Sequence, residues 1–304
     1  MKEDILITGG SGLLALNWAL TVREKFNVTL GLHDRKVNLK DTRSILLDLD
    51  SKKALAHLLE ALKPQLVIHT AGLTSVEQCE ANPTLAKYIN IDLTKNLATV
   101  CAKLNIPMVY ISTDHLFSGN EPLVHEDHPV FPVNVYAKTK AEAEICVLDS
   151  DAEALIIRTN FYGWGTSYRH SFSDLVINHL RAEKKISLFK DIYYTPILVE
   201  SLVYTVHELA HKKAKGIFNI VGDDRISKYN FGLKLAKEFN LDIDLIDEGK
   251  IIDKQSLVAR PHDMSLSNQK ISNYLGRKME GLDQHILKLK VQEASGIAKE
   301  LQAL

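Results

Sequence analysis

A tyrosine and a lysine four positions apart, Tyr136 and Lys140, have the side-chain types and the spacing needed for acid–base chemistry. Residues i and i+4 lie on one face of a helix, and a nearby ammonium favours the phenolate form of a tyrosine, whose ordinary pKa is about 10. Thr113 follows an apolar segment and is placed to hydrogen-bond the same substrate oxygen. We predict Tyr136 as proton donor to a carbonyl oxygen, Lys140 as the group that lowers its pKa, and Thr113 as the group that orients the carbonyl.

A second tyrosine–lysine pair, Tyr274 and Lys278, has the same spacing, so the spacing alone does not identify a site. Only Tyr136 lies where short apolar runs alternate with segments of helix length, one crossover after a serine–threonine pair. We therefore expect Tyr274 to have a surface or packing role.

A glycine-rich turn follows the apolar strand Ile5–Ile7 and opens a helical segment, with the sequence Thr-Gly-Gly-Ser-Gly-Leu-Leu-Ala over residues 8–15. Gly9 permits a tight turn, Gly12 lets backbone N–H groups approach a pyrophosphate, and Ala15 allows close packing of helix on strand. The anion would lie at the helix amino terminus, where unpaired donors and the helix dipole favour it. The turn predicts a dinucleotide site with contacts from Thr8, Gly9, Ser11, Gly12 and Leu13.

Two charged residues at the end of the second predicted strand, Asp34 and Arg35, bear on the choice of dinucleotide. An acidic side chain there hydrogen-bonds a ribose 2′-hydroxyl, whereas an arginine accepts a 2′-phosphate. NAD and NADP both remain open, and Arg35 favours NADP. Asp48, which could hold the adenine amino group, and its neighbour Leu49 are also predicted cofactor contacts.

Apolar runs of strand length alternate with amphipathic segments of helix length from residue 4 to about residue 160. The runs are Asp4–Thr8, Asn27–Leu32, Gln65–Thr70, Met108–Ser112 and Ala154–Arg158, and the helical segments include Lys52–Leu62 and Pro83–Leu104. This alternation is typical of βαβ units whose parallel sheet is covered on both faces. We predict an α/β fold with a Rossmann-type, doubly wound parallel sheet that binds ligands at the carboxyl ends of its strands.

The pattern changes after residue 160, where the chain becomes rich in aromatic and turn residues. Beyond this point we predict the helices Phe172–Glu183 and Leu198–His211, the strands Ile186–Phe189 and Gly216–Val221, and then mostly helix. We assign residues 1–160 to an NAD(P)-binding domain and residues 161–304 mainly to a smaller substrate-binding lobe. Later segments are expected to cross back into the first domain.

The composition excludes several classes of function. The 304-residue chain has a formal net charge of −1, which gives no field to attract nucleic acid or an anionic membrane. No apolar run approaches the roughly 20 residues that span a bilayer, and the amino terminus does not resemble a signal peptide. Three widely spaced cysteines and the segment His125–His128 fit neither a disulfide framework nor a metal template. The sequence predicts a cytoplasmic protein with no metal site.

Four separated motifs resemble those of the extended short-chain dehydrogenases/reductases, and within them the dTDP-4-dehydrorhamnose reductase group. They are Ser112–Gly119 (S-T-D-x-x-F-x-G), Pro132–Lys140 (P-x-N-x-Y-G-x-x-K), Arg158–Thr159 (R-T) and Arg260–Leu266 (R-P-x-x-x-x-L). The resemblance implies reduction of a nucleoside-diphosphate 4-keto-6-deoxy sugar by NADPH or NADH. It implies Thr113, Tyr136 and Lys140 as the catalytic triad, with Lys140 also on the nicotinamide ribose.

The same resemblance implies further residues of the site. Additional cofactor contacts are expected from Thr70, Ala71, Gly72 and Asn90. Contacts to the sugar-nucleotide substrate are expected from Thr74, Asp114, Phe161, Thr195 and Arg260.

Departures from the group's pattern fall mainly in the expected sugar pocket. The chain has His69-Thr70-Ala71-Gly72 where the group has Asn-Ala-Ala, and Phe161 where the group has a tryptophan. These departures bear on the identity of the sugar and leave the dinucleotide prediction unaffected. A nucleotide-sugar epimerase or dehydratase, a non-catalytic NADP-binding regulatory subunit similar to the methionine adenosyltransferase beta subunit, and a homodimer all remain open.

Overall fold

The computed structural model describes residues 2–151, 153–254 and 257–304. Its strands are β1 (Glu3–Thr8), β2 (Phe26–Leu32), β3 (Arg43–Leu46), β4 (Leu66–His69), β5 (Met108–Ile111), β6 (Leu155–Arg158), β7 (Phe161–Tyr162), β8 (Ile186–Phe189), β9 (Tyr193–Tyr194), β10 (Ile197–Leu198), β11 (Gly216–Asn219), β12 (Ile226–Ser227) and β13 (Ile246–Gly249). Its α-helices are α1 (Leu13–Val22), α2 (Lys52–Leu62), α3 (Val76–Ala81), α4 (Pro83–Lys87), α5 (Leu93–Lys103), α6 (Val135–Ser150), α7 (Phe172–Arg181), α8 (Val199–His211), α9 (Lys228–Glu238), α10 (Gln269–Leu275), α11 (Leu282–Ala294) and α12 (Ile297–Gln302). A π-helix covers Tyr88–Asp92, and 3-10 helices cover Ile243–Leu245 and Ile251–Asp253.

A seven-stranded sheet with the order β3-β2-β1-β4-β5-β6-β11 forms the centre of the protein. Every neighbouring pair in it is parallel. The chain moves outward from β1 through β2 to β3 and then returns to place β4 on the other side of β1. The carboxyl ends of β1 and β4 therefore flank the point where the strand order reverses, which is where sheets of this kind form a ligand crevice.

The predicted fold class is confirmed by this sheet. The five strands predicted before residue 160 are all present, and their bounds differ from the prediction by at most one residue at either end. The third strand, for which the apolar pattern gave no bounds, is β3 at the sheet edge. Only Ile45 and Leu46 of its four residues are apolar and none of the four is buried, so β3 lacks the pattern of a buried strand.

The segment 83–104, predicted as one helix, is divided by the π-helix into α4 and α5. The helix α4 begins at the predicted residue, Pro83. Proline is favoured in the first turn of a helix, and the Asn82 side chain caps that turn by accepting a hydrogen bond from Leu85 N (3.0 Å). Apolar periodicity does not distinguish an α-turn from a π-turn. Single π-turns are frequently found at functional sites, and this one carries Asn90.

Side chains on the two faces of the sheet belong to two different cores. In β1, Ile5 and Ile7 pack on the face covered by α1 and α8, whereas Leu6 packs on the face covered by α2, α5 and α6. The alternation follows from the two-residue period of a strand. Because both faces are covered, the sheet is fixed in place and its carboxyl edge forms a rigid support for a site.

The chain beyond residue 160 builds a second lobe from three two-stranded sheets, β7 with β10, β8 with β13 and β9 with β12, together with α7, α9 and α11. Between these elements, α8 packs against α1 and β11 pairs with β6 in the central sheet. The segment 199–219 thus contributes a strand to the central sheet and a helix that packs on α1. The division at residue 160 itself stays a prediction.

Candidate active site

The glycine turn between β1 and α1 has the geometry of an anion site. Gly9 has φ +66°, and a Cβ on it would lie 2.8 Å from the Ala71 backbone, so only glycine fits. Gly12 N donates to Gly9 O at 2.7 Å and closes the turn. Gly12 also caps α1 without a side chain, and the first turn of α1 holds no acidic residue. The amino-terminal N–H groups of α1 are therefore available to a bound anion.

Thr8, predicted as a cofactor contact, lies beneath the turn instead of on the cleft wall. It is fully buried, and its Oγ1 is hydrogen-bonded to His69 Nδ1 at 2.7 Å. The opposite ring nitrogen of His69 lies 2.9 Å from Thr94 Oγ1. Burial, and secondarily the charge of Lys140, lowers the pKa of His69 to about 3, so the ring is neutral. The histidine that departs from the family pattern therefore supports the phosphate turn from below.

A cleft of about 660 Å³ opens at the carboxyl ends of β1, β2, β4, β5 and β6. Most of the predicted site residues line it: Gly9, Ser11, Gly12, Leu13, Asp48, Leu49, Thr70, Ala71, Gly72, Thr74, Asn90, Thr113, Asp114, Tyr136, Lys140 and Phe161. The structure thus brings the phosphate turn and the predicted catalytic residues into one cleft. Four predicted residues do not line it: Thr8, Arg35, Thr195 and Arg260.

At the end of the cleft formed by β2 and β3, Asp48 is exposed and its Oδ1 accepts a hydrogen bond from Asp50 N at 2.8 Å. Arg35 lies outside the wall, and its guanidinium carbon is 3.9 Å from the ring centroid of Tyr168. His33, at the end of β2, lines the cleft where the prediction placed Arg35. Arg35 therefore lies at the rim of the cleft, beside Tyr168.

Asn90 on the π-helix holds together three segments around the cleft. Its side chain donates to Leu73 O (3.1 Å) and Thr139 Oγ1 (3.0 Å) and accepts from Leu73 N (2.7 Å). It is almost fully buried, yet it lines the cleft. These bonds fix the loop after β4 against α6, the helix that carries Tyr136 and Lys140.

Tyr136 lies in the first turn of α6, which begins where Asn134 Oδ1 accepts a hydrogen bond from Ala137 N at 2.8 Å. The tyrosine is buried, and burial raises its pKa, while a hydrogen bond with Thr113 lowers it in part. Thr113 follows β5, and its Oγ1 also donates to Asp114 Oδ1 at 3.3 Å. The phenol holds its proton at neutral pH, which suits a proton donor.

Lys140 is buried one helical turn after Tyr136, and its Nζ donates to Ile111 O at 2.7 Å. The same Nζ lies 4.2 Å from the ring centroid of Tyr110. Burial lowers the pKa of Lys140 to about 7, against the opposing effect of Glu144. The expectation that Lys140 brings the pKa of Tyr136 below its ordinary value is not met, because burial of the phenol outweighs any such effect.

Polar groups from β5 and β6 meet at the opposite end of the cleft. Asn160 Nδ2 donates to Asp114 Oδ2 at 2.5 Å, and the Asp114 carboxylate is almost fully buried. Phe161 and His115, which directly follow Asn160 and Asp114 in the chain, also line the cleft. A carboxylate, an amide and an aromatic ring are the kinds of group that bind a polyhydroxylated ligand by hydrogen bonds and stacking.

Two predicted substrate contacts, Thr195 and Arg260, do not line the cleft. Thr195 is buried, and its Oγ1 accepts a hydrogen bond from Leu266 N at 3.1 Å, which ties β9 and β10 to a later segment. Arg260 pairs with Glu77 on α3 at 2.5 Å. Both side chains are engaged by other parts of the chain in this structure, and their contact with a substrate stays a prediction.

Several cleft residues were not predicted. Ser112, His115, Thr159 and Asn160 follow β5 or β6, so the rule that ligands bind at strand ends could have identified them. Arg169, in the segment between β7 and α7, also lines the cleft. No strand end, glycine pattern or spacing in the sequence marks it.

The tyrosine of the second tyrosine–lysine pair does not line the cleft. Tyr274 packs edge-on against Phe218, with ring centroids 5.4 Å apart, and lies outside the cleft. Within residues 2–151, 153–254 and 257–304, no group of three or more His, Cys, Asp or Glu side chains is arranged to hold a metal ion. Over the same ranges no helix has the length and apolar character needed to cross a membrane.

Comparisons with known proteins agree with this geometry. Residues 1–292 match the family described as RmlD substrate binding domain. The "Probable low-salt glycan biosynthesis reductase Agl14" of Haloferax volcanii is 29% identical over 288 residues, which cover 93% of this chain and 96% of that protein. The mouse methionine adenosyltransferase 2 subunit beta is 29% identical over 249 residues, 79% of this chain and 73% of that protein.

The fold is also that of a solved reductase. The crystal structure of dTDP-4-dehydrorhamnose reductase from Bacillus anthracis in complex with NADP has a TM-score of 0.86, covers 96% of this chain and 100% of its own, and is 24% identical. The likeness in fold extends over nearly the whole chain. With the family match over nearly all of its length, this chain belongs to the RmlD substrate binding domain family.

Proposed function

We propose that this protein is an NAD(P)H-dependent reductase that acts on a nucleoside-diphosphate 4-keto-6-deoxy sugar, with Tyr136 as proton donor. The observation that carries the proposal is that Thr113, Tyr136 and Lys140 line the same cleft as the phosphate turn. An acid group and an anion site in one cleft are what reduction by a bound dinucleotide requires. The reductases among its relatives support the oxidoreductase class.

A nicotinamide dinucleotide fits the residues that are present. The uncapped amino terminus of α1 and the Gly9–Gly12 turn would hold its diphosphate, and Asp48 and Leu49 would lie at its adenosine end. The B. anthracis reductase was solved with NADP, which supports the same class of cofactor here. Arg35 at the rim favours NADP over NAD, because a guanidinium pairs with a 2′-phosphate.

The protein's part in the reaction is to orient the ketone and to move one proton. When bound, the reduced nicotinamide would supply a hydride to the carbonyl carbon. Thr113 and Tyr136 would both donate hydrogen bonds to the carbonyl oxygen, and the Tyr136 O–H bond would break as that oxygen becomes a hydroxyl. The raised pKa of Tyr136 keeps the proton in place until the oxygen becomes basic enough to take it.

Lys140 would act beside this step through its charge. With a pKa of about 7, it is largely an ammonium below neutral pH and loses its proton above it. The ammonium is held on Ile111 O and would reach the nicotinamide ribose and stabilise negative charge on Tyr136 after the proton leaves. Its side chain is therefore both a cofactor contact and an electrostatic group.

The substrate class rests on the family and on the polar end of the cleft. Asp114 and Asn160 form a hydrogen-bonded pair that can accept and donate to sugar hydroxyls, and Phe161 gives an apolar wall. The change from tryptophan to phenylalanine at this wall points to a sugar different from the rhamnose precursor. The 4-keto-6-deoxy class belongs to the proposal, and the identity of the sugar is to be read from the experiment.

The experiment is an assay of purified protein with NADPH or NADH and a panel of 4-keto-6-deoxy sugars on different nucleoside diphosphates. Loss of the reduced-nicotinamide absorbance with one sugar, faster with NADPH than with NADH, is the expected result. Tight dinucleotide binding without oxidation in the presence of any sugar of the panel would contradict the proposal.

A second candidate is a non-catalytic NADP-binding subunit. It is favoured by the similarity to methionine adenosyltransferase 2 subunit beta over 79% of this chain. The measurement is co-elution of this protein with a methionine adenosyltransferase catalytic subunit, with and without NADP. A stable complex together with no ketone reduction would favour this candidate over the reductase.

A further inference from the structure

The segment between β7 and α7 brings two unpredicted side chains of the second lobe to the dinucleotide end of the cleft. Tyr168 donates its hydroxyl hydrogen to Ser11 O at 2.9 Å, in the phosphate turn itself. Its ring also stacks on the guanidinium of Arg35 at 3.9 Å. Arg169 lines the cleft, and its Nη2 donates to Thr74 Oγ1 at 3.1 Å. One turn of the chain thus contacts both walls of the dinucleotide site.

This turn is built to hold its shape. Thr166 Oγ1 accepts from Arg169 N at 3.0 Å, and Thr166 N donates to Arg169 O at 2.8 Å. A Cβ on Gly165 would lie 2.3 Å from Asp174 Oδ2 and 2.5 Å from Arg169 O, so the turn is packed closely. On its carboxyl side, Ser171 and Asp174 form a capping box at the start of α7. The two side chains are therefore presented by a preorganised support.

The two guanidinium groups near this turn, those of Arg35 and Arg169, form no ion pair within the described residues. Both are exposed, and they lie beside the amino terminus of α1, which has no side-chain cap. Guanidinium groups pair with phosphate oxygens through two parallel hydrogen bonds, so this arrangement of cations and amides matches a ligand with several phosphate groups.

We propose that the turn 165–170 is a cofactor clamp, in which Arg169 binds the diphosphate of the dinucleotide and Tyr168 holds Arg35 at the 2′-phosphate of NADP. The inference rests on the dinucleotide part of the proposed function. Recognition of the cofactor is then shared between the two lobes. Tyr168 is a positioning residue that acts through Arg35, whereas Arg169 contacts the cofactor itself.

The first test measures the affinity of Arg169→Gln for NADPH, NADH and a free nucleoside diphosphate such as dTDP by isothermal titration calorimetry. A charge-assisted hydrogen bond to a partly exposed phosphate corresponds to about a tenfold change in Kd. NADPH and NADH should weaken equally, by about tenfold, while dTDP is unaffected. Weakening of dTDP alone would overturn the proposal, because Arg169 would then serve the substrate's diphosphate. Arg181→Gln, on the same lobe but paired with Glu293, is the control and should change none of the three.

The second test concerns the preference for NADPH over NADH, which a merely structural role would not alter. Tyr168→Leu removes the stacking surface and should reduce the NADPH/NADH affinity ratio by about threefold to tenfold. Tyr168→Phe keeps the ring and should keep most of the ratio. Tyr204→Leu is the control. It removes another exposed ring, which lies under the Lys25 ammonium, and should leave the ratio unchanged.

The double variant Arg35→Gln/Tyr168→Leu separates the two roles. If Tyr168 acts through Arg35, adding Tyr168→Leu to Arg35→Gln changes the ratio no further. Additive loss, or a ratio that Tyr168→Leu leaves unchanged, would overturn the proposal. All these readouts are binding constants, so they distinguish failure of the clamp from failure of the reductase. If the binding constants change as expected but no ketone is reduced, the clamp is supported and the proposed reductase function is contradicted.

Discussion

The two ends of the cleft differ in how their residues come together. At the dinucleotide end, one continuous turn after β1 supplies the phosphate site, and the predicted residues Gly9, Ser11 and Gly12 all line the cleft. At the substrate end, Asp114 and Phe161 line the cleft, but Thr195 and Arg260, predicted from a later part of the chain, contact Leu266 and Glu77 instead. A site made by a local turn follows from the sequence of that turn, whereas a site made by packing of distant segments does not.

The largest expected effect comes from loss of the proton donor, Tyr136, which lies in the cleft between the dinucleotide end and the substrate end. Tyr136→Phe removes the proton donor and should lower kcat by about 10²- to 10⁴-fold while the Kd for NADPH stays within about twofold. Steady-state NADPH oxidation and calorimetry measure the two quantities. Tyr274→Phe is the matched control, since Tyr274 has the same spacing to a lysine but lies outside the cleft, and its kcat should equal that of the parent. Turnover by Tyr136→Phe at the parental rate would refute the acid assignment.

The next effect tests the local turn. Gly9→Ala forces a side chain into a φ of +66° and within 2.8 Å of the Ala71 backbone, so dinucleotide affinity should fall by about tenfold or more. Gly276→Ala is the control, because Gly276 has φ +67° but no atom within 4 Å of the added Cβ. It should cost about 1–2 kcal/mol of unfolding free energy and leave binding unchanged. Equal affinities in the two variants would mean that the turn does not hold the cofactor.

A pH dependence is expected from Lys140. Its ammonium form is complete well below the pKa of about 7 and is lost as the pH rises through that value. If the ammonium is needed, kcat/KM should fall as the pH rises through about 7, and Tyr136, whose pKa is raised, should add no loss below pH 9. The profile of kcat/KM from pH 5.5 to 9 measures it. A flat profile across this range would show that the charge of Lys140 is not required.

The smallest effects are expected where the substrate prediction did not match the structure. Thr195→Val removes a buried hydrogen bond to Leu266 and should cost about 1 kcal/mol of unfolding free energy with KM for the sugar within about twofold. Arg260→Gln breaks a partly exposed ion pair and should cost at most about 1 kcal/mol. Chemical denaturation and substrate titration separate the two readouts. A tenfold rise in KM for either variant would restore the residue to the substrate site.

Much of the fold could be predicted from the sequence because its signals are local. Apolar runs predicted β1, β2, β4, β5 and β6, while β3 at the sheet edge has only two apolar residues and buries none of its four. A motif shared with a family does not by itself mark a site. Arg158 belongs to one of the four motifs, yet it forms a buried ion pair with Glu144 at 2.7 Å and links β6 to α6. Conversely, Tyr168 and Arg169 belong to no motif, and only the packing of the second lobe shows where they lie.

The cytoplasmic location, the homodimer and the sugar-nucleotide partner stay predictions. Of these, the sugar-nucleotide substrate depends directly on the reductase assignment. The assignment itself is that a hydride and a proton are added across a sugar ketone in this cleft. It separates the reductase from an epimerase, which would leave the dinucleotide unconsumed, and from a regulatory subunit, which would bind it without turnover.

Transfer of deuterium from NADPH that carries deuterium at both C4 positions of the nicotinamide tests this claim most directly. The protein is incubated with the labelled NADPH and a 4-keto-6-deoxy nucleotide sugar, and the product is analysed by mass spectrometry and NMR. The account predicts one deuterium on the former carbonyl carbon for each NADPH consumed, and no labelled product with Tyr136→Phe on the same timescale. An unlabelled product, or full recovery of NADPH with a changed sugar, would contradict it.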